Sequence, residues 1–149
     1  MQLSLHADYA LRVLIYLGAH PGEKVSTETI STAYGISRHH LVRVVQTLGD
    51  RGYVKVTPGR AGGIVLALDP AEIRLGEVVR NVEPNLNLVE CFDPATNTCP
   101  IPAACALKFW LRDALAAFLA ELDRHTLAEM LLKDRDGRLR KLFRVAPAG

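Results

Sequence analysis

Residues 26 to 68 read STETISTAYGISRHHLVRVVQTLGDRGYVKVTPGRAGGIVLAL, and the fold turns on how this stretch divides. Ser26 or Thr27 can cap a short helix that carries Ile30 and Ala33 on one face. Tyr34-Gly35-Ile36 then makes a tight turn into Ser37, a good cap for a third helix whose buried stripe is Leu41, Val44, Val45 and Leu48. Two short helices joined by a turn containing Gly form a helix-turn-helix, which lays its second helix in a DNA major groove. That pattern alone is weak, and the next segment strengthens it. Tyr53-Val54-Lys55-Val56, a turn from Thr57 to Gly63, and Ile64 to Leu68 read as a β-hairpin. Helix-turn-helix plus hairpin is a winged helix, so the expected class is mostly α with a small β wing.

Toward the N-terminus, Ser4 caps a first helix with Ala7, Leu11, Leu14 and Leu17 at helical spacing, ending near Gly18 and the Pro21-Gly22 turn. Toward the C-terminus, Asp69-Pro70 begins a helical stretch through Val79 with Leu75, Val78, Val79 and Val82 as its apolar face, and Pro84 ends it. From Ala104, the positions Leu107, Trp110, Leu111, Ala114, Leu115, Phe118, Leu119 and Leu122 give the cleanest amphipathic periodicity in the chain. A helix of about 20 residues spans about 30 Å, more than a small winged-helix head needs. Its stripe is expected to pack against a second copy, with packing inside its own chain as the alternative. Thr126-Leu127-Ala128-Glu129 matches a capping box that opens a short further helix, and Asp136-Gly137 with Pro147-Ala148-Gly149 suggests a frayed end. The expected organisation is a winged helix-turn-helix head over 1–83, a loop over 84–105, a long dimerisation helix with a short following helix over 106–132, and a basic flexible tail over 133–149.

A length of 149 residues with 49% hydrophobic content suits a single domain with a real core. No apolar run approaches the roughly 20 residues that span a bilayer, and no export signal is visible, so a cytoplasmic, membrane-free protein is expected. The net charge of +2 hides a segregation. Residues 1–68 hold 7 Lys/Arg against 4 Asp/Glu, residues 133–149 hold 6 against 2, and the middle holds 5 against 10. Such a distribution suits ends that face a polyanion, although for 133–149 taken alone a merely solvated basic tail is the preferred reading.

Ser37, Arg38, His39, His40 and Arg43 lie at the start and on the outer face of the third helix, and they are the candidate base readers of double-stranded DNA. Arg38 and Arg43 can donate bidentately to guanine, while Ser26 and Thr27 at a helix start can bind a phosphate. Adjacent histidines on a helix diverge by about 100°, which disfavours a metal role for His39-His40 against plain exposure or DNA contact. Arg60, at the tip of a glycine-rich hairpin, can enter a narrow minor groove. A solvent-exposed turn is its simpler alternative.

The three cysteines, Cys91, Cys99 and Cys105, all fall in one proline-broken loop, spaced Cys-x7-Cys-x5-Cys. An odd cysteine count without an export signal argues against a disulfide framework. Zinc sites favour closely spaced Cys-x2-Cys pairs that grip one small ion, so zinc is the lesser reading. Three thiolates splayed by Pro94, Pro100 and Pro102 suit a larger object, and iron–sulfur clusters take thiolates as their usual ligands. A fourth ligand would have to be something other than cysteine. Inert packed thiols remain the alternative. No cysteine has a histidine near it in sequence and no glycine-rich phosphate cradle follows a strand, so an enzyme is not expected.

Leu5-His6-Ala7-Asp8-Tyr9-Ala10-Leu11-Arg12, Gly35-Ile36-Ser37-Arg38-His39-His40-Leu41, Gly59-Arg60-Ala61-Gly62-Gly63-Ile64, Glu90-Cys91-Phe92 and Cys99-Pro100-Ile101 together resemble a known family. It is the family of dimeric winged-helix regulators with iron–sulfur clusters that includes NsrR and IscR, and the likeness covers nearly everything to about Leu132. Thr126-Leu127-Ala128-Glu129 resembles the NsrR branch in particular. The resemblance implies a homodimeric transcriptional repressor whose [4Fe-4S] cluster reacts with nitric oxide, releasing operator DNA. It also implies Asp8, from the partner chain, as a ligand completing a site made by Cys91, Cys99 and Cys105. On sequence physics alone Asp8 is an acidic residue in a helix's first turn, favoured by the macrodipole. Glu90, Asp93, His6 and His125 are other possible fourth ligands. The alternative within the family is an IscR-like regulator that reports iron–sulfur or redox status through a [2Fe-2S] cluster.

Overall fold

The computed structural model describes residues 2–134 and 136–145. It contains α1 (Leu5–Ala19), α2 (Thr27–Tyr34), α3 (Arg38–Asp50), β1 (Val54–Thr57), β2 (Gly63–Leu66), α4 (Leu75–Val82), α5 (Ala106–Asp123), α6 (Leu127–Leu132) and α7 (Arg138–Val145). The protein is mostly α with a two-stranded antiparallel wing, as the sequence predicts.

Local chemistry sets the element boundaries. The Ser4 side chain accepts from the Ala7 N–H to start α1, and the Ser26 side chain accepts from the Thr29 N–H to start α2. Gly35 ends α2 at φ 64°, a left-handed conformation that costs a residue with a Cβ but not glycine. The wing pairs Val54 with Leu66 and Thr57 with Gly63. Val25 adds a further bridge, exchanging hydrogen bonds with Ile64 of 3.1 and 2.8 Å, so the segment before α2 is stitched to the wing.

The core gathers one face from each element of the head: Ala7, Ala10, Val13, Leu14 and Leu17 of α1, Ile30 of α2, Leu41, Val44, Val45 and Leu48 of α3, Val54 of β1 and Ile64 of β2. Ile73, Val78, Val82 and Leu127 close it from the C-terminal side. Each fully buried Leu or Ile stabilises by about 1.5–3 kcal/mol, so the helix-turn-helix is held as one packed body with α1.

One expectation is corrected. The helix predicted from Asp69-Pro70 through Val79 is broken: a 3-10 turn, Pro70–Glu72, is followed by extended Ile73 and Arg74, and α4 starts at Leu75. The break arises because Leu127 N–H donates to the Ile73 carbonyl and Leu75 N–H to the His125 carbonyl, and this pairing with the entry to α6 takes the place of helical hydrogen bonds. Within the segment expected as a basic tail, residues 138–145 form a helix, α7, that the sequence reading did not place. Phe143 anchors it, its ring centroid 4.7 Å from that of Tyr16 and 5.2 Å from that of Tyr34. The Pro147-Ala148-Gly149 end lies outside the described residues.

The long helix α5 packs on α4, where Arg80 Nη2 meets Asp123 Oδ1 at 2.6 Å, and the capping box of Thr126 and Glu129 opens α6 as predicted. None of the 18 residues of α5 is buried. No described helix is long and apolar enough to cross a membrane.

Candidate nucleic-acid interface and cysteine loop

The buried stripe of α3 fixes what the helix shows to the outside. Arg38, His39, His40 and Arg43 are all exposed. Ser37 is the N-cap residue, and its hydroxyl makes no capping bond, which leaves it available to a phosphate or base. Arg38 Nε lies 3.5 Å from Glu28 Oε2 with both side chains 69% exposed, a loose pair that holds the guanidinium weakly. Arg43 makes no ion pair among the described residues. His40 differs from His39: its ring leans toward α1, with its centroid 6.3 Å from that of Tyr9, and it lines a small pocket with His6 and Arg43.

Sequence reasoning missed Gln46. At about 100° per residue, His39, Arg43 and Gln46 fall within about 60° of arc on the outer face of α3. Gln46 is exposed there, and its amide has the donor–acceptor pair that matches adenine. The signal was present in its spacing, three residues after Arg43 and seven after His39.

Ser26 and Thr27 stand where the sequence placed them, at the start of α2, with Ser26 exposed and Thr27 half-buried. The Ser26 hydroxyl is occupied in capping Thr29, at 3.0 Å from its N and 2.7 Å from its Oγ1, so backbone N–H groups are the freer donors for a phosphate. Arg60 is exposed at the wing tip beside Gly59, whose φ of 94° makes the turn. Lys24 Nζ donates to the Ala61 carbonyl at 3.3 Å, tying that tip to the segment before α2.

The cysteines occupy three successive local structures. Cys91 sits in the 3-10 turn Glu90–Phe92, Cys99 follows a turn in which its N–H donates to Asn97 Oδ1 at 3.0 Å, and Cys105 is the N-cap residue of α5. All three are free and half-exposed. Glu90 reaches across the loop to the Thr98 N–H, next to Cys99, and the Thr98 side chain and backbone hold its carboxyl below the usual range. Arg112 of α5 lies over the Phe92 ring at 5.8 Å, which pins the Cys91 turn against the helix that Cys105 begins. Among the described residues no three His, Cys, Asp or Glu side chains converge as a site for a metal ion.

The donor set nevertheless suits an iron–sulfur group. Three soft thiol donors share one loop, each partly accessible, and one stands at the N-terminus of an 18-residue helix with no acidic residue in its first turn and no side-chain cap. A helix N-terminus in that state favours the negative charge of a thiolate-bound cluster.

Asp8 is in the first turn of α1, where its carboxylate faces Arg12: Nη2 to Oδ2 is 2.8 Å and Nε to Oδ1 is 3.1 Å. This hydrogen bond raises the Arg12 pKa, against a smaller opposing effect of burial. His6 Nε2 is 3.1 Å from Thr47 Oγ1 of α3, Asp93 accepts from the Ala95 N–H, and His125 sits between Glu121 and Glu129. Each alternative fourth ligand is therefore already engaged locally.

Comparison with known proteins agrees with this arrangement. Residues 3–133 match the Rrf2 family, described as iron-dependent transcriptional regulators. The chain is 47% identical over 137 residues to the HTH-type transcriptional regulator NsrR of Bacillus subtilis, covering 91% of this chain and 94% of that one. It is 51% identical to the NsrR of Geobacillus kaustophilus, covering 91% and 92%. Among solved structures it resembles T. potens IscR, with a TM-score of 0.71 at 25% identity over 89% of this chain and 88% of that one. It also resembles CymR, the global cysteine regulator of B. subtilis, with a TM-score of 0.66 at 28% identity over 87% and 95%. These relatives are regulators and not enzymes, and the match runs through both the winged helix and the cysteine loop. The chain belongs to the Rrf2 family of transcriptional regulators.

Proposed function

We propose that this protein is a cytoplasmic, homodimeric repressor that binds operator DNA with α3 and the wing and lets go in response to nitric oxide. The observation that carries the reading is the trio of half-exposed thiols on one loop of a chain 47% identical to a protein named NsrR. Cys91, Cys99 and Cys105 would hold a [4Fe-4S] cluster, with Asp8 of the partner chain as a fourth ligand. When bound, such a cluster supplies a centre that reacts with nitric oxide.

The chain's own residues provide the link to DNA. Asp8 lies on α1 between His6, which meets Thr47 of α3, and Tyr9, whose ring faces His40 of α3. A bond from Asp8 to the other chain would tie the first turn of α1, and with it the reader helix it packs on, to the partner's cysteine loop, and an Asp8 paired only with Arg12 would lack that tie. The dimer is supported by α5, which leaves Leu107 56%, Phe109 51% and Trp110 67% exposed on a helix with no buried residue. A cleft of about 470 Å³ between Leu3, Leu86, Leu88, Leu115 and Phe118 shows that the chain alone does not fill the space beside α5.

Protein purified without oxygen is expected to be brown, with about four irons and matching sulfide per chain, and to lose operator binding on nitric oxide titration. A colourless protein that binds the operator equally with and without nitric oxide overturns the reading. The structural likeness to T. potens IscR keeps a [2Fe-2S] centre as the second reading, and Mössbauer spectra separate the two.

A further inference from the structure

The helix α7 lies beyond the residues 3–133 that match the family. Its two faces have different chemistry. Phe143 and the half-buried Leu139 face the head, where the Phe143 ring meets Tyr16, Tyr34 and His20 at centroid distances of 4.7, 5.2 and 5.9 Å. Arg140 on the same side pairs with Glu23. Arg138, Lys141 and Arg144 are exposed and make no ion pair among the described residues, and at about 100° per residue they cover about 120° of the opposite arc.

The place where α7 docks matters more than its charge. Glu23 holds Arg140, Lys24 donates to Ala61 beside Arg60, Val25 bridges Ile64 of the wing, and Ser26 caps α2. Four consecutive residues thus tie α7, the wing and the start of α2 together. Three steps of chain span at most about 11 Å, and duplex DNA carries one charge per about 1.7 Å of axis, so DNA seated on the wing and α2 brings several phosphates within that reach.

We infer that α7 is an added contact for the DNA backbone, in which Arg138, Lys141 and Arg144 neutralise phosphates flanking the wing. The inference rests on the DNA-binding reading and extends it to a segment outside the family match. A membrane is the poorer occupant. A surface-lying helix must have a free apolar face, and here Phe143 is committed to the head, leaving only Leu142 prominent.

The test uses the full chain, purified without oxygen, and two duplexes of about 30 base pairs. One is selected from random-sequence DNA by this protein and the other is its scrambled counterpart. Anisotropy titrations between about 50 and 200 mM salt give the slope of log K against log salt. The triple variant Arg138→Ala, Lys141→Ala, Arg144→Ala is expected to flatten the slope by about 2–3, weaken both duplexes by the same factor, and keep the preference between them. The double variant Arg138→Lys, Arg144→Lys is expected to retain the wild-type slope. An unchanged slope in the triple variant, or a loss confined to the selected duplex, overturns the role of α7 while leaving DNA binding by the head intact. A wild-type chain that enriches no duplex from the random-sequence pool overturns both.

Discussion

Asp8 and Arg12 form a two-point ion pair one helical turn apart on α1, with 2.8 and 3.1 Å contacts and both side chains about 40% exposed, at 39% and 41%. A pair so exposed is worth under about 1 kcal/mol, so it is easily exchanged for a better partner. That weakness is what a residue serving as a releasable ligand requires. Asp8→Asn is therefore expected to leave the unfolding free energy within about 1 kcal/mol of wild type while changing the visible spectrum and hastening iron loss in air. Arg12→Ala, which frees the carboxylate, is expected to keep its iron. If both variants match wild type in iron content and spectrum, Asp8 is not a ligand.

Trp110 is 67% exposed on α5, with Leu107 and Phe109 beside it. A buried aromatic at the centre of an interface typically contributes 2 kcal/mol or more, and a charge placed there has no partner. Trp110→Glu is expected to turn the proposed dimer into a monomer by light scattering and to weaken operator binding by at least about tenfold, because two half-sites would no longer be gripped together. A variant that remains dimeric would place the interface elsewhere.

The winged helix was legible because its signals are local: a cap at Ser26, a left-handed Gly35, the stripe Leu41, Val44, Val45 and Leu48, and a glycine-rich wing turn. The break at Ile73 was not, because the partners of that backbone are His125 and Leu127, some fifty residues away. α7 was missed for a similar reason. Its basic, short sequence reads as a solvated tail until Phe143 meets Tyr16 and Tyr34, which belong to other helices. For the cysteine loop a spacing names candidate donors, while only tertiary contacts such as Arg112 on Phe92 orient the loop that carries them.

Gly76 lets α4 approach the end of α5. A Cβ there would collide with the Asp123 carboxylate and come within 2.9 Å of the Asp123 backbone N. Asp123 in turn holds Arg80 at 2.6 Å, and its carbonyl accepts from Arg74 at 2.8 Å. Backbone cannot give way as a side-chain tip can, so Gly76→Ala is expected to destabilise by about 1–3 kcal/mol in urea unfolding. A change below about 0.5 kcal/mol would show that α4 and α5 separate freely.

Tyr34 donates its hydroxyl to the Arg12 carbonyl at 3.1 Å, and burial pushes its pKa well above the ordinary 10.0, with Tyr16 moved the same way. A raised pKa on an acid means that the fold favours the neutral phenol. The stabilisation is complete below pH 10, where the unfolded chain is also protonated, and is lost as pH rises above it. Unfolding free energy is expected to decline above pH 10. In Tyr34→Phe it is expected to start about 1 kcal/mol lower at neutral pH and decline less. A decline equal to that of wild type would assign the alkaline transition to other groups.

Gln46 tests whether the outer arc of α3 reads bases as its geometry suggests. It is exposed, on the same arc as His39 and Arg43, and unlike Arg43 its amide carries no charge that would attract phosphate at any sequence. Losing a bidentate contact to adenine costs about 1–3 kcal/mol at one base pair and nothing at the others. Gln46→Ala is accordingly expected to weaken the selected operator about 5–150-fold, to leave scrambled DNA unaffected, and to leave the salt slope unchanged. Arg43→Ala, by contrast, removes both a base donor and a charge, so it should weaken both kinds of DNA. If Gln46→Ala lowers both equally, the arc supplies electrostatics alone, and discrimination must come from Arg38, His39 and the wing.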